Sequence, residues 1–174
     1  MNTSEYIFDR VARLVKKHKT RDPFELCEAL GIRIKYSALT DALDGYFFCQ
    51  SRIKTVVLNS SLKEEDMRII CAHELGHACL HSETLTAMRI IGSNGLFNAR
   101  STAEYEANLF ASELLIPDTK TKKLLSGGVS VYEFASELCV PPELIDFKLR
   151  SIQNRGVPIS APYLAPSDFL KNIK

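Results

Sequence analysis

The sequence has no apolar run long enough to cross a membrane and almost no net charge, and both absences exclude classes of protein. Its 22 lysines and arginines nearly match its 21 aspartates and glutamates, so the formal net charge of +1 provides no general attraction for nucleic acid or an anionic membrane. The N-terminal residues also lack the charged start and apolar core of a signal peptide. These absences predict a cytoplasmic protein without membrane association.

Paired cysteines are missing as well. The cysteines are odd in number, scattered, and form no Cys-x-x-Cys motif; they are Cys27, Cys49, Cys71, Cys79 and Cys139. This pattern excludes a disulfide frame and a cysteine zinc site, and it favours a reducing compartment. Because most of them stand in apolar patterns, we expect all of them to be buried packing residues.

The length and the apolar content set the scale of the fold. With 174 residues, 45% of them hydrophobic, the chain can fill one core but is short for two full domains. No internal repeat or low-complexity run divides it. We therefore predict one domain over residues 1–174, with a helical lobe at about residues 130–155.

The centre of the chain carries the pattern His-Glu-x-x-His at residues 73–77. On a helix, His73 and His77 lie on the same face one turn apart, so both imidazoles can reach one metal ion. Glu74 lies between them and can act as a general base on a water molecule. Zinc suits this pattern, since catalytic zinc takes three protein ligands and keeps a fourth position open.

The surrounding sequence predicts that this motif lies in a buried helix of about five turns. Ser61-Leu62-Lys63-Glu64 has the form of a capping box, and the acidic residues that follow favour a helix N-terminus. From Met67 to Leu80, apolar residues recur at helical spacing without a proline. The alternative is an ordinary solvated helix that happens to carry two histidines, and the apolar coverage argues against it.

A third histidine, His81, continues the same helical face. Eight residues of straight helix place it about 12 Å from His73, too far to share one ion. The longer zinc motif with a third histidine also needs a glycine turn and another spacing, which this chain lacks. We therefore expect His81 to contact a ligand or to end the helix rather than to bind the metal.

The remaining periodicities predict an α+β fold. Alternating or turn-flanked apolar segments predict strands at residues 32–36, 46–48 and 54–58, arranged as a small meander before the metal helix. Helical patterns with caps or breakers cover residues 4–19, 23–30, 102–115, 119–125, 131–138 and 142–152. The glycine-containing segment 84–101 is predicted to be a loop over the cleft, and the proline-containing tail from Gly156 an extended surface segment.

A third metal ligand must come from elsewhere, and Glu104 and Glu106 are the candidates. Because residues two apart on a helix point in different directions, at most one of them is expected to bind the ion. Glu104 shares a face with Ala107, Asn108 and Ala111, whose small size favours a close approach to the metal helix. Periodicity therefore favours Glu104, with Asn108 holding a ligand in orientation. An ordinary surface role for Glu104 remains the alternative.

Several motifs together resemble the ImmA/IrrE family of metallo-endopeptidases. The resemblance is carried by residues 56–59, by His-Glu-Leu-Gly-His with Leu80-His81 after it, and by Glu104-x-x-Ala107-Asn108-x-Phe110-Ala111 followed by residues 114–117. It spans about residues 45–117, and residues 135–150 are also similar to the helix-turn-helix-like lobe of that family. The first 40 residues match only loosely.

The resemblance implies a zincin-like core made of a small three-stranded sheet, an active-site helix and a second helix that contributes a glutamate. Carried over by motif, His73, His77 and Glu104 bind Zn²⁺ and Glu74 is the general base. The implied substrate is a protein, a helix-turn-helix transcriptional repressor of a phage, mobile element or stress-response locus. No motif assigns the group that stabilises the oxyanion, for which His81, Tyr105 and Tyr163 are candidates.

Two other functions stay open at this point. The first is a regulatory protein that binds a repressor without cleaving it, although such a protein has no need of a base at position 74. The second is a DNA-binding regulator acting through residues 130–152, where Lys148, Arg150 and Arg155 form only a sparse basic set. For a peptidase, an extended substrate would pair with the strand at 54–58 if that strand forms the edge of the sheet beside the cleft.

Overall fold

A computed structural model describes residues 2–40, 43–81 and 96–159 of the chain. Its helices are α1 (Thr3–His18), α2 (Pro23–Ala29), α3 (Glu64–Leu80), α4 (Leu96–Leu115), α5 (Asp118–Leu125), α6 (Val131–Leu138) and α7 (Pro142–Asn154). Its strands are β1 (Arg33–Ser37), β2 (Gly45–Gln50) and β3 (Ile53–Asn59). The predicted α+β class with a small three-stranded sheet is confirmed.

The first two helices begin at side-chain caps. The Asn2 side chain accepts a hydrogen bond from the Glu5 backbone N–H, while the Glu5 carboxylate accepts one from the Asn2 N–H, which completes a capping box. The Asp22 side chain caps α2 ahead of Pro23 by accepting hydrogen bonds from the backbone N–H groups of Phe24 and Glu25. The α2 helix ends just before Gly31, whose φ of 67° belongs to the left-handed region that favours glycine. Both helices were predicted at these places.

The sheet has the strand order β1-β3-β2, so the predicted meander is wrong. Strand β3 runs parallel to β1 and antiparallel to β2, with Phe47 opposite Val56. The physical reason is burial: β3 is buried continuously from Thr55 to Asn59, and a strand covered on both faces takes the centre of a sheet. The predicted edge role of residues 54–58 is therefore wrong, and β2 is an edge of the sheet as far as the described residues extend.

The metal helix α3 forms where it was predicted, but without the predicted cap. Its N-cap is Lys63, which makes no side-chain cap hydrogen bond. The Ser61 hydroxyl instead donates to Asn59 Oδ1 at 2.9 Å, within the turn that follows β3. Three acidic residues in the first turn still favour this helix end electrostatically. From Ile69 to Ala78 the helix is buried on all sides.

Helix α4 begins at Leu96, six residues before the predicted start at Thr102. Residues 96–101 contain no proline or glycine, so nothing in them ends a helix. The predicted loop is therefore wrong for residues 96–101, and its remainder lies outside the described residues. The predicted close approach of α4 to α3 is present: a Cβ on Gly76 would lie 3.2 Å from the Cα and the carbonyl oxygen of Ala107.

The C-terminal helices join the same core, where α7 packs against α4 and α6 packs against α7. Helix α6 begins at Ser130 with a capping box to Glu133. One hydrophobic cluster extends from Ile7 in α1 to Leu149 in α7 and includes residues of the sheet and of α3. Of the cysteines expected to be buried, Cys27 and Cys71 are buried and Cys49 and Cys79 are only partly buried. The expectation is wrong for Cys139, which is exposed and ends α6 in a left-handed conformation.

Two further expectations concern membrane-spanning helices and the C-terminal tail. None of the helices within the described ranges is both long and apolar enough to cross a membrane. The tail from Gly156 was predicted to be extended. Its residues beyond Ile159 lie outside the described residues.

Candidate metal centre

Three side chains predicted as metal ligands meet at one point between α3 and α4. His73 Nε2 lies 3.1 Å from His77 Nε2. Glu104 Oε2 lies 3.4 Å from His73 Nε2, and Glu104 Oε1 lies 3.7 Å from His77 Nε2. Both imidazoles are buried, and Glu104 is partly buried. The helical spacing of the histidines and the close contact of α4 with Gly76 together produce this convergence.

The arrangement fits a tetrahedral zinc ion. With bonds of about 2.1 Å, such an ion holds its donor atoms roughly 3.4 Å apart. The three separations of 3.1, 3.4 and 3.7 Å lie around that value. Two imidazole nitrogens and one carboxylate are also a donor set that leaves a fourth position for a water molecule or a substrate.

Burial and neighbouring charges set different proton affinities on the two imidazoles. Burial and the charge on His73 lower the pKa of His77 to about 3, so His77 is neutral and its lone pair is available. Burial also disfavours a charged His73, but the hydrogen bond with Glu104 and the charges of Glu74 and Glu104 outweigh it and raise the pKa of His73. A metal ion entering the site therefore competes with a proton on His73.

Glu74 has the environment of a general base. Its side chain is buried, and burial raises its pKa to about 7, although the charge on His73 and a hydrogen bond from the Phe47 backbone oppose that rise. A base with a pKa near neutrality can both take and return a proton at physiological pH. The hydrogen bond also fixes the carboxylate beside strand β2.

The residues expected to orient the ligands contact them. The Asn108 side chain lies beside His73 and raises its pKa by favouring the protonated ring. His81 Nδ1 lies 3.3 Å from His77 Nδ1, and His81 Nε2 lies 2.7 Å from Glu106 Oε2. Glu106 is thus separated from the three donor atoms and binds His81, in agreement with the preference for Glu104 as the ligand.

Sequence reasoning missed two of these contacts. The bond from Phe47 to Glu74 depends on the strand order, which local periodicity does not reveal. The Glu106–His81 contact joins α4 to the end of α3, and its only sequence signal was the helical phase that placed Glu106 away from Glu104.

The oxyanion candidates are less well placed. Both ring nitrogens of His81 face partners, namely His77 and Glu106. The ring of Tyr105 packs against Phe147 of α7, with ring centroids 5.6 Å apart, and burial raises its pKa. Tyr163 lies outside the described residues. The structure therefore favours neither His81 nor Tyr105 for that role.

The basic residues considered for DNA binding are engaged inside the protein. Lys148 is fully buried, and its Nζ lies 2.5 Å from Glu113 Oε2 and 2.6 Å from Asp118 Oδ1. Arg155 donates two hydrogen bonds to the Asp118 carboxylate, at 2.9 and 3.1 Å. Arg150 pairs with Asp146 one turn away, at 2.6 Å. Every cation of this set therefore already faces a carboxylate.

Comparison with known proteins agrees with the site. The model of the IrrE N-terminal-like domain family matches residues 27–150. The chain is 35% identical to the "Uncharacterized immunity region protein 2" of Bacillus phage phi105 over 138 residues, which are 79% of this chain and 85% of that protein. It is 28% identical to "Metallopeptidase ImmA" of Bacillus subtilis (strain 168) over 152 residues, 86% of this chain and 88% of the relative. This protein therefore belongs to the ImmA/IrrE family of metallopeptidases.

Proposed function

We propose that the protein is a zinc-dependent endopeptidase with a zincin-like core, and that it cleaves a helix-turn-helix transcriptional repressor. One observation carries the catalytic part of this proposal. Two imidazole donors from α3 and one carboxylate from α4 converge, and a buried glutamate of raised pKa, Glu74, lies next to His73 on α3. Membership of a metallopeptidase family supports the same reaction.

Each residue of the site has a separate task. His73, His77 and Glu104 hold the ion, and when bound the ion supplies Lewis-acid chemistry, acidifying water and polarising a peptide carbonyl. Glu74 takes a proton from the attacking water and delivers it to the nitrogen of the leaving amine. The Phe47 N–H holds the Glu74 carboxylate in position through this transfer.

The substrate is an extended segment that pairs with strand β2. This strand is at the edge of the sheet within the described residues, and its residue Phe47 contacts Glu74. An extended peptide added beside β2 would gain backbone hydrogen bonds and lie next to the base. Strand β3, in the centre of the sheet, has no free edge for this purpose.

The resemblance to the ImmA/IrrE family supports a transcriptional repressor as the protein substrate, and a relative from a phage immunity region supports the mobile-element setting. The free cysteines support a cytoplasmic location, where thiols stay reduced. Neither rival function has comparable support. A regulator that does not cleave its partner would have no use for the raised pKa of Glu74. A DNA-binding function is not supported because Lys148 and Arg150 on α7 are paired with carboxylates.

The test is to incubate the zinc-loaded protein with the small repressor encoded beside it and to follow the products by mass spectrometry. We expect the wild type to release fragments with one defined cleavage site, and Glu74→Gln to bind zinc but leave the repressor intact. Addition of a chelator should stop cleavage and added zinc should restore it. A wild type that binds the repressor and leaves it uncut would refute the peptidase and favour the non-cleaving regulator.

A further inference from the structure

His81 joins a predicted metal ligand to a carboxylate that does not reach the metal centre. Its Nδ1 faces His77 Nδ1 at 3.3 Å, and its Nε2 faces Glu106 Oε2 at 2.7 Å. His81 is only 8% exposed and forms the C-cap of α3. The three side chains thus form a chain of contacts that begins on α4, passes the end of α3 and reaches the back of the His77 ring.

The positions of the protons along this chain follow from the chemistry of imidazole. If His77 Nε2 offers its lone pair to an ion, the neutral ring must carry its proton on Nδ1. That N–H points at His81 Nδ1, which must then be the acceptor. His81 consequently carries its own proton on Nε2, facing the Glu106 carboxylate, which can only accept. Once His77 Nε2 binds an ion, each of these two contacts therefore permits one position of its proton.

We propose that Glu106 and His81 act as a pair of positioning residues that hold His77 in its metal-binding tautomer and orientation. This inference rests on the proposed function, because it takes His77 to be a ligand. Metal-bound histidines commonly donate their second N–H to a carboxylate or a carbonyl oxygen. Here one imidazole is inserted between the ligand and the carboxylate.

The two histidine ligands are therefore held by different means. His73 is backed by the Asn108 amide on the buried face of α4. His77 is backed by an ionisable carboxylate through His81, and the Glu106 side chain is 26% exposed. Since Glu106 lies at the rim of the site rather than in the core, it can be changed without opening a cavity.

The pair is tested first by the proton positions themselves. Nitrogen-detected NMR of the histidine side chains in the zinc-loaded wild type distinguishes the two neutral tautomers and the doubly protonated ring. We expect a proton on Nδ1 of His77 and on Nε2 alone of His81. A proton on Nδ1 of His81, or on both of its nitrogens, would overturn the inference.

Variants at position 106 give a second readout, the zinc affinity measured by competition with a chromophoric chelator. Glu106→Leu removes the acceptor, and we expect about 10- to 100-fold weaker zinc binding. Glu106→Gln keeps an acceptor oxygen in place and should retain most of the affinity. Glu28→Gln, which changes an exposed carboxylate of α2, is the matched control and should bind zinc like the wild type.

The outcomes separate this inference from the function on which it rests. Wild-type zinc affinity in Glu106→Leu, with the unfolding transition of both proteins alike, would refute the positioning pair and leave the peptidase proposal standing. A wild type that binds no zinc would refute the proposed function and with it the premise of the pair. Equal losses in Glu106→Leu and Glu106→Gln would also contradict the pair, because the acceptor oxygen would then be irrelevant.

Discussion

Helix α4 carries Glu104 in its middle and Glu113 near its C-terminal end, and the two carboxylates have opposite surroundings. Glu104 faces two imidazoles of α3, of which His77 is neutral because burial lowers its pKa to about 3. Glu113 is nearly as buried as the core but lies against Lys148 and, at 3.6 Å, Arg155. The site around Glu104 requires a cation from solution, whereas Glu113 already has the cationic side chains of Lys148 and Arg155 beside it.

The difference shows what distinguishes a metal site from a structural ion pair in the interior of a protein. Burying a carboxylate is unfavourable unless a partner compensates its charge. Within the described part of the chain, Lys148 and Arg155 compensate the negative charges of Glu113 and Asp118, so these carboxylates do not require a metal ion. Near Glu104 the compensation is incomplete, since three carboxylates, Glu74, Glu104 and Glu106, surround imidazoles rather than ammonium or guanidinium groups.

The largest expected effect of a substitution that tests the comparison of Glu104 with Glu113 is the loss of the metal ion. We expect Glu104→Ala to lose zinc and all peptidase activity, because two imidazoles alone do not complete the site. The unfolding free energy of the metal-free protein should change by less than about 1 kcal/mol, since Glu104 is partly exposed and contacts the two imidazoles rather than the hydrophobic core. Elemental analysis and denaturant unfolding measure the two quantities. Full zinc occupancy in this variant would remove Glu104 from the site.

Near the C-terminal end of α4 the pattern should be reversed. Lys148→Met leaves the buried Glu113 with Arg155 as its remaining ion-pair partner among the described residues, and we expect a loss of about 3 kcal/mol in unfolding free energy. Zinc content per folded molecule should stay at the wild-type value. Denaturant unfolding and elemental analysis again provide the measurements.

A double variant is the control for that prediction. Replacing both partners, as Lys148→Met with Glu113→Leu, removes the uncompensated charge and should restore most of the lost stability. A double variant that is less stable than Lys148→Met would mean that the cluster stabilises the fold by more than charge compensation.

The contrast between Glu104 and Glu113 also shows how much of the structure could be predicted from the sequence. The pairing of His73 and His77 follows from spacing along one helix, and periodicity favoured Glu104 over Glu106. That Glu104 joins the histidines from another helix was implied by the resemblance to the family. The burial of Lys148 depends on Glu113, which is 35 residues away, and no local pattern connects them. The order of the strands is equally non-local, and for that reason the meander and the edge at β3 were wrong while the strands themselves were right.

A smaller effect is expected where α3 and α4 touch. In Gly76→Ala the new Cβ meets backbone atoms of Ala107 at 3.2 Å, and a backbone cannot rotate out of the way. Helix α4 must shift by a few tenths of an ångström, and Glu104, one turn earlier, shifts with it. We expect zinc binding to weaken roughly tenfold, or by about 1.4 kcal/mol.

Stability in Gly76→Ala should change little, since alanine gains about 1 kcal/mol over glycine in helix propensity and so offsets the crowding. Chelator competition and thermal unfolding measure the two effects. Unchanged zinc affinity would mean that the metal centre tolerates movement between the helices.

The smallest effect concerns acid stability. Burial opposes ionisation of Asp118, but hydrogen bonds from Arg155 and Lys148 outweigh it and lower its pKa from 3.8 to about 2. A lowered carboxyl pKa stabilises the fold above pH 3.8, and this contribution disappears as the pH falls towards 2. Because the carboxyl is 42% exposed, solvent screens the interaction and we expect about 1 kcal/mol.

Unfolding of the wild type and Asp118→Asn between pH 2 and pH 5 measures this contribution. The wild type should be the more stable protein at pH 5, and the two curves should converge near pH 2. Parallel curves over the whole range would show that Asp118 is not held by the two cations.

X-ray absorption at the zinc edge of the loaded protein tests the central claim most directly, because it reports the atoms bound to the ion. Two imidazoles and a carboxylate predict a shell of nitrogen and oxygen at about 2.0 to 2.2 Å, with the outer scattering of two imidazole rings. A sulfur atom at about 2.3 Å would place a cysteine on the metal and would contradict the assignment of His73, His77 and Glu104.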